Sequence, residues 1–190
     1  MRSLNNYITE KFQVSKDNIR KYVYHPKDRN ELIECIKNKI EKEGLGTEDE
    51  PLDLNDIDTS KITNMCNIFD ADDGELKFLS KNGYFDISDW DVSNVENMYG
   101  MFWESAFYGD ISEWDVSNVR DMSYMFFWSK FDGDISNWDV SKVENMERMF
   151  AHAARFNCNL SKWNTKHVEN MKSAFYGCPA VLPKWFTKQI

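Results

Sequence analysis

The sequence predicts an α/β solenoid, a stack of about five coils in which each coil is a short strand, a tight turn and a short helix. Three observations carry this. Residues 110–119, Asp-Ile-Ser-Glu-Trp-Asp-Val-Ser-Asn-Val, return almost letter for letter at 86–95 and 134–143 and more loosely at 159–168. Trp90, Trp114, Trp138 and Trp163 follow one another at 24, 24 and 25 residues, a spacing typical of stacked repeats. Inside each unit the apolar period changes from two to a helical one.

The lead segment, residues 1–52, is expected to form a helical N-terminal cap, because an uncovered first coil would expose its apolar layer. Leu4, Tyr7, Ile8 and Phe12 make one stripe of a short helix that Ser3 can cap. A turn at 15–18 precedes Lys21, Tyr22, Val23 and Tyr24, which read as a short strand. Asp28 and Glu31 then form a capping box ahead of Leu32, Ile33, Ile36 and Ile40, and Gly44 ends that second helix. Its remaining face, with Glu34, Lys37, Lys39, Glu41, Lys42 and Glu43, reads as solvated. Residues 46–51 read as a linker.

The array covers residues 53–178, with coils near 53–84, 85–109, 110–133, 134–158 and 159–178, and residues 179–190 form a C-terminal cap. Asp58 stands 33 residues before Asp91, so the first coil carries an insertion within 70–84, where Asp72-Asp73-Gly74 and Asn82-Gly83 signal a looping segment. Ile87, Trp90 and Val92 have the spacing of a leucine-rich-repeat strand. Val95, Met98, Met101 and Phe102 have helical spacing, with Ser93/Glu96 and Ser141/Glu144 as capping boxes. Strands stacked about 4.8 Å apart would form a parallel sheet.

Several columns recur once per coil. Tryptophans and methionines at these spacings are expected to be core. Asn64, Asn97, Asp121, Asn145 and Asn170 are expected to form a ladder that satisfies turn backbone groups. Asp58, Asp91, Asp115, Asp139 and Asn164 form a second ladder, whose carboxylates either accept local backbone N–H groups or line a row for calcium or a basic partner. Beside it Asp89, Glu113, Asn137 and Lys162 vary and point to the open sheet face. Trp103, Phe127 and Trp128, with Tyr108, Tyr124 and Tyr176 nearby, mark an aromatic helical edge that serves either inter-coil packing or recognition. Asp89, Asp91, Glu113, Asp115, Asn137, Asp139, Lys162, Trp103 and Trp128 are therefore the candidate partner-binding residues.

Composition narrows the function. The net charge of −9 lies wholly in residues 53–190, since residues 1–52 hold ten basic and ten acidic side chains. An acidic array argues against nucleic acid and for either a basic protein partner or solubility alone. Cys35, Cys66, Cys158 and Cys178 occupy non-equivalent repeat positions and read as small buried thiols. No window reaches the roughly 18 apolar residues of a membrane span, and the start lacks the apolar run of a secretory leader. The expected location is cytoplasmic or virion-associated, or the extracellular surface if a leader has been removed. His25, His152 and His167 adjoin no nucleophile or metal pattern, so no enzyme activity, catalytic residue, cofactor or metal is expected. Open ends of the stack allow self-association wherever a cap is imperfect.

The unit Asp-Ile-Ser-x-Trp-Asp-Val-Ser-x-Val-x-Asn-Met-x-x-Met-Phe resembles the repeat of BspA-like leucine-rich-repeat proteins of mycoplasma lipoproteins and bacterial surface proteins. The resemblance covers about residues 53–176, and the segment from Tyr24 to Gly44 is similar to the lead of short free-standing members in gut bacteria and their phages. It implies a right-handed leucine-rich-repeat-like stack used for protein binding, and brings no catalytic residues. Two functions follow. One is a non-enzymatic protein-binding module acting through the acidic strand face or the aromatic helical edge. The other is a phage- or mobile-element-encoded acidic decoy that inhibits a host nucleic-acid-binding or defence protein.

Overall fold

The computed structural model describes residues 22–187. The stripe of Leu4, Tyr7, Ile8 and Phe12 with its Ser3 cap, the turn at 15–18, Lys21 and the last residues 188–190 lie outside the described residues.

Helix α1 spans Arg29–Glu43 because its ends are chemically specified. The Asp28 side chain accepts the N–H groups of Asn30 and Glu31 at 2.9 and 3.0 Å, a cap worth about 1 kcal/mol. Glu31 reaches back beyond the cap residue, to the Lys27 N–H at 3.0 Å. Gly44 closes the helix at φ 85°. Leu32, Ile33 and Ile36 bury against the first repeat unit's core. Lys39 departs from the solvated face expected of it, for it is only 4% exposed. Its ammonium lies 3.0 Å from Asp56 and 3.6 Å from Glu43, and 5.8 Å from the Tyr24 ring. A long aliphatic stem can bury when its charged end finds carboxylates, which a count of charges along the helix does not reveal.

Neighbouring repeat units then lie in parallel register. Tyr24 bridges Ile57, and β1 (Leu52–Asp53) pairs with β2 (Phe85–Asp86). Asn64, Asn97, Asp121, Asn145 and Asn170 form a continuous run of single bridges. The ladder thus runs along the Asn column, and the expected strand through Ile87, Trp90 and Val92 is absent. That stretch is two tight turns, closed by Trp90 N–H to Ile87 C=O and Val95 N–H to Val92 C=O at 3.1 and 2.9 Å.

Side-chain turns explain the bends. In one unit Asp110, Asp115 and Asp121 each accept the N–H two residues on, from Ser112, Ser117 and Ser123, at 2.9, 3.0 and 2.8 Å. The pattern repeats at Asp134, Asp139 and Asn145. Each such turn offers the backbone a local partner in place of a helical or extended one. The Ser93/Glu96 and Ser141/Glu144 pairs therefore cap no helix; the acceptor beside each serine is Asp91 or Asp139.

The helix expected from Val95 to Phe102 is replaced by consecutive turns. Gly100 and Glu104 have φ of 58° and 53°, and Tyr124, Trp128, Arg148 and His152 repeat this four-residue spacing. Alternate N–H groups close turns, as from Met101 to Met98 C=O. The others leave the unit: Met98, Gly100, Phe102 and Glu104 donate to Asp121, Ser123, Met125 and Phe127 of the next one. A turn chain and an α-helix both return a side chain inward every three or four residues, so apolar spacing cannot separate them.

The core runs the length of the stack. Ile, Trp, Val, Met and Phe columns are almost fully buried, including Trp114 at 4% and Phe126 at 0%. Phe69, Phe102, Phe126, Phe150 and Phe175 stack face to face at 5.7, 5.5, 5.7 and 5.3 Å, each burial contributing about 1.5–3 kcal/mol. The insertion expected to loop out carries a short helix instead, α2 (Lys77–Asn82), ended by Gly83 at φ 80°. At the far end α3 (Lys184–Thr187) brings Trp185 and Phe186 onto Phe175.

Candidate recognition surface

The expected candidates separate into two sets. Asp89, Asp91, Glu113, Asp115, Asn137, Asp139 and Lys162 are all exposed. Asp91, Asp115 and Asp139 each spend one oxygen on the N–H two residues ahead, at 3.0 Å. The Ser141 hydroxyl and N–H hold the Asp139 carboxyl below the ordinary range, and the Ser60 hydroxyl does so first for Asp58, with His25 also contributing. Among the described residues no group of three or more His, Cys, Asp or Glu side chains is placed to hold a metal ion. The four cysteines are free and half-buried; burial raises the thiols of Cys35, Cys158 and Cys178.

Trp103 and Trp128 belong to a different structure, a strip of aromatic rings across successive units. Trp103 stacks on Tyr124 at 5.0 Å with the planes 6° apart, and meets Phe127 at 4.8 Å. Tyr99 adjoins Tyr124 at 5.6 Å. Trp128 stacks on His152 at 4.5 Å, and His152 meets Tyr176 edge-on at 5.2 Å. Arg148 covers part of the Tyr124 ring at 5.9 Å. Trp128 and Tyr176 remain 54% and 66% exposed.

The turn chain creates this strip. In the sequence Asn-Met-x-x-Met-Phe the methionines and phenylalanine are buried, while among the residues between and after them Tyr99, Trp103, Tyr124 and Phe127 are half-buried and Trp128 is exposed, in left-handed or turn conformations. Holding Tyr124, Trp128, Arg148 and His152 at positive φ costs stability, and the stacked rings recover part of it. The Asn67 amide oxygen and the Trp103 indole nitrogen are buried at one end of the strip with no partner among the described residues. Burial raises the Tyr99 phenol there.

Sequence spacing located Trp103, Phe127, Trp128, Tyr124 and Tyr176 but missed Tyr99, Arg148 and His152. Counting residues between aligned Asn-Met pairs would have found them, since Arg148 aligns with Tyr124 and His152 with Trp128. Tyr108 lies away from the strip, against Tyr84 at 5.6 Å. His167 repeats the Asn94 and Asn118 contacts to the preceding unit: Nδ1 lies 2.7 Å from the Ser141 carbonyl, as Asn118 Nδ2 does from that of Ser93.

Among the described residues no helix is long and apolar enough to cross a membrane. No curated protein and no solved structure matches the chain. The family described as Mycoplasma protein of unknown function, DUF285, matches residues 74–187, more than half of the chain. The protein therefore belongs to that family.

Proposed function

We propose that the chain is a non-enzymatic protein-binding module, a right-handed solenoid of the BspA-like leucine-rich-repeat type, which recognises its partner through the aromatic strip. The observation that carries this reading is the contiguity of Trp103, Tyr124, Phe127, Trp128, His152 and Tyr176 over successive units. Monomeric surfaces rarely leave such rings in contact and in water, and Trp and Tyr dominate binding hot spots. The column of Asp91, Asp115 and Asp139 competes less well, because one oxygen of each carboxylate already serves a turn.

The decoy reading rests on the charge of −9 and places binding on Asp91, Asp115 and Asp139. Capture from a lysate of the source cell separates the two. Trp128→Ala with Tyr176→Ala should abolish retention of the captured protein, while Asp115→Lys with Asp139→Lys should leave it. The opposite pattern, with capture lost in salt, assigns binding to the carboxylates and rejects the strip.

A further inference from the structure

From the Met of each Asn-Met pair onward, alternate N–H groups of the turn chain donate to the following unit, whereas the residue before the Asn, as at Glu169, donates back to the unit before. Met146, Arg148, Phe150 and His152 donate their N–H groups forward to the carbonyls of Asn170, Lys172, Ala174 and Tyr176 at 2.7–3.0 Å. The same four positions of the last unit are Met171, Ser173, Phe175 and Gly177. Their N–H groups have no hydrogen-bond partner among the described residues, while their neighbours Lys172, Ala174, Tyr176 and Cys178 close local turns. The stack therefore ends in a row of four backbone donors pointing the same way. Unpaired edges of this kind are templates for another chain, and donors without interleaved acceptors concentrate positive potential.

The last unit and the segment after it carry charge of the same sign. Residues 159–187 hold Lys162, Lys166, Lys172 and Lys184 against Glu169 alone, in a chain whose net charge is −9. The end of the core is already closed, since Trp185 stacks on Trp163 at 6.4 Å and Phe186 packs on Phe175 at 5.0 Å. The ring layer that a further unit would stack on is thus occupied by Trp185 and Phe186, with Val181 and Leu182 left exposed in the segment before them, which favours a single added strand over a whole second copy. At the opposite end one carbonyl of the matching acceptor row, that of Cys66, accepts from Arg29 Nε of α1 at 2.6 Å.

We propose that the donor row of the last unit is a second docking edge, which takes one extended acidic peptide segment of a partner protein running parallel to residues 171–177. Main-chain carbonyls of the peptide accept from Met171, Ser173, Phe175 and Gly177, as the carbonyls of 170–176 do for the unit before. Acidic side chains of the peptide pair with Lys166 and Lys172. This edge adjoins the aromatic strip at Tyr176 and at Gly177, which lies against His152, but it binds through backbone N–H groups, so recognition by the rings can fail while the donors remain.

The probe is an acetylated, amidated peptide of alternating Asp and Thr, titrated into the full chain while backbone amides are followed by NMR. Shifts and slowed hydrogen exchange confined to Met171, Ser173, Phe175 and Gly177 are expected. Lys166→Glu with Lys172→Glu should weaken binding by roughly tenfold or more, and a Lys/Thr peptide should not bind. Three results would overturn the proposal: no change at these amides, the same change with inorganic phosphate alone, or a change produced by raising protein concentration without peptide. The second would make the row a small-anion site and the third a self-association edge.

Discussion

The indole nitrogen of Trp185 lies 2.8 Å from the carbonyl oxygen of Leu160. Trp163 bonds Ile135 at 3.1 Å, Trp138 bonds Ile111 at 3.1 Å and Trp114 bonds Ile87 at 3.2 Å. The C-terminal segment thus continues the tryptophan ladder by one step after the recognisable repeat has ended. Trp185→Phe keeps the ring contact with Trp163 but leaves a carbonyl unmet, and should cost about 1–2 kcal/mol. Trp185→Ala should cost about 3 kcal/mol or more. Urea unfolding measures both, and equal losses would show that the indole N–H contributes nothing.

Glu104 separates the turn chain from a helix. It sits at φ 53°, and its counterpart in the last unit is Gly177 at φ 70°. Glu104→Gly should stabilise the chain by about 0.5–1 kcal/mol, because relief of the left-handed strain exceeds the entropy of glycine in the unfolded state. The same change in a helix would cost about 1 kcal/mol. The sign of the shift in urea midpoint decides between the two conformations.

A Cβ added at Gly100 would collide with the Asn67 side-chain oxygen. Gly100→Ala should therefore destabilise by about 1–3 kcal/mol. Asn67 Oδ1 is buried without a partner among the described residues, so Asn67→Ala in the same molecule should recover the part of the loss that comes from the collision, leaving the strain of alanine at φ 58°. A double-mutant cycle in thermal unfolding checks the coupling, and additive losses would refute it.

Acid should weaken the side-chain turns. Asp58 and Asp139 both titrate below the ordinary value of 3.8 in the folded chain, each first because of a serine hydroxyl. A depressed folded value means that the stabilising contribution is complete above the ordinary value and is lost as pH falls through the folded value. Asn keeps the accepting oxygen without titrating, as Asn159 does for Ser161. Asp58→Asn with Asp139→Asn should hold neutral-pH stability within about 0.5 kcal/mol and flatten the acid limb below about pH 4. An unchanged acid limb would mean that other carboxylates control it.

How far the sequence could be read follows from these same residues. Asp28 and Gly44 announce the ends of α1 because capping chemistry is local. The Trp, Met and Phe columns announce the core because only repetition and apolarity are needed. The conformation joining those columns was hidden: Asp110, Asp115 and Asp121 make turns by side-chain contacts two residues long, while the residues between them keep helix-like and strand-like spacing. The aromatic strip was legible only in part, since Arg148 and His152 join it by alignment across units rather than by their own chemistry.

Photo-cross-linking tests the central claim most directly. A benzophenone amino acid at Trp128 and, separately, at Glu113 would be irradiated in the presence of the captured partner. A covalent partner adduct is expected from position 128 and none from position 113, which lies in the varying column with Asp89, Asn137 and Lys162. An adduct from 113 with none from 128 would contradict recognition through the aromatic strip.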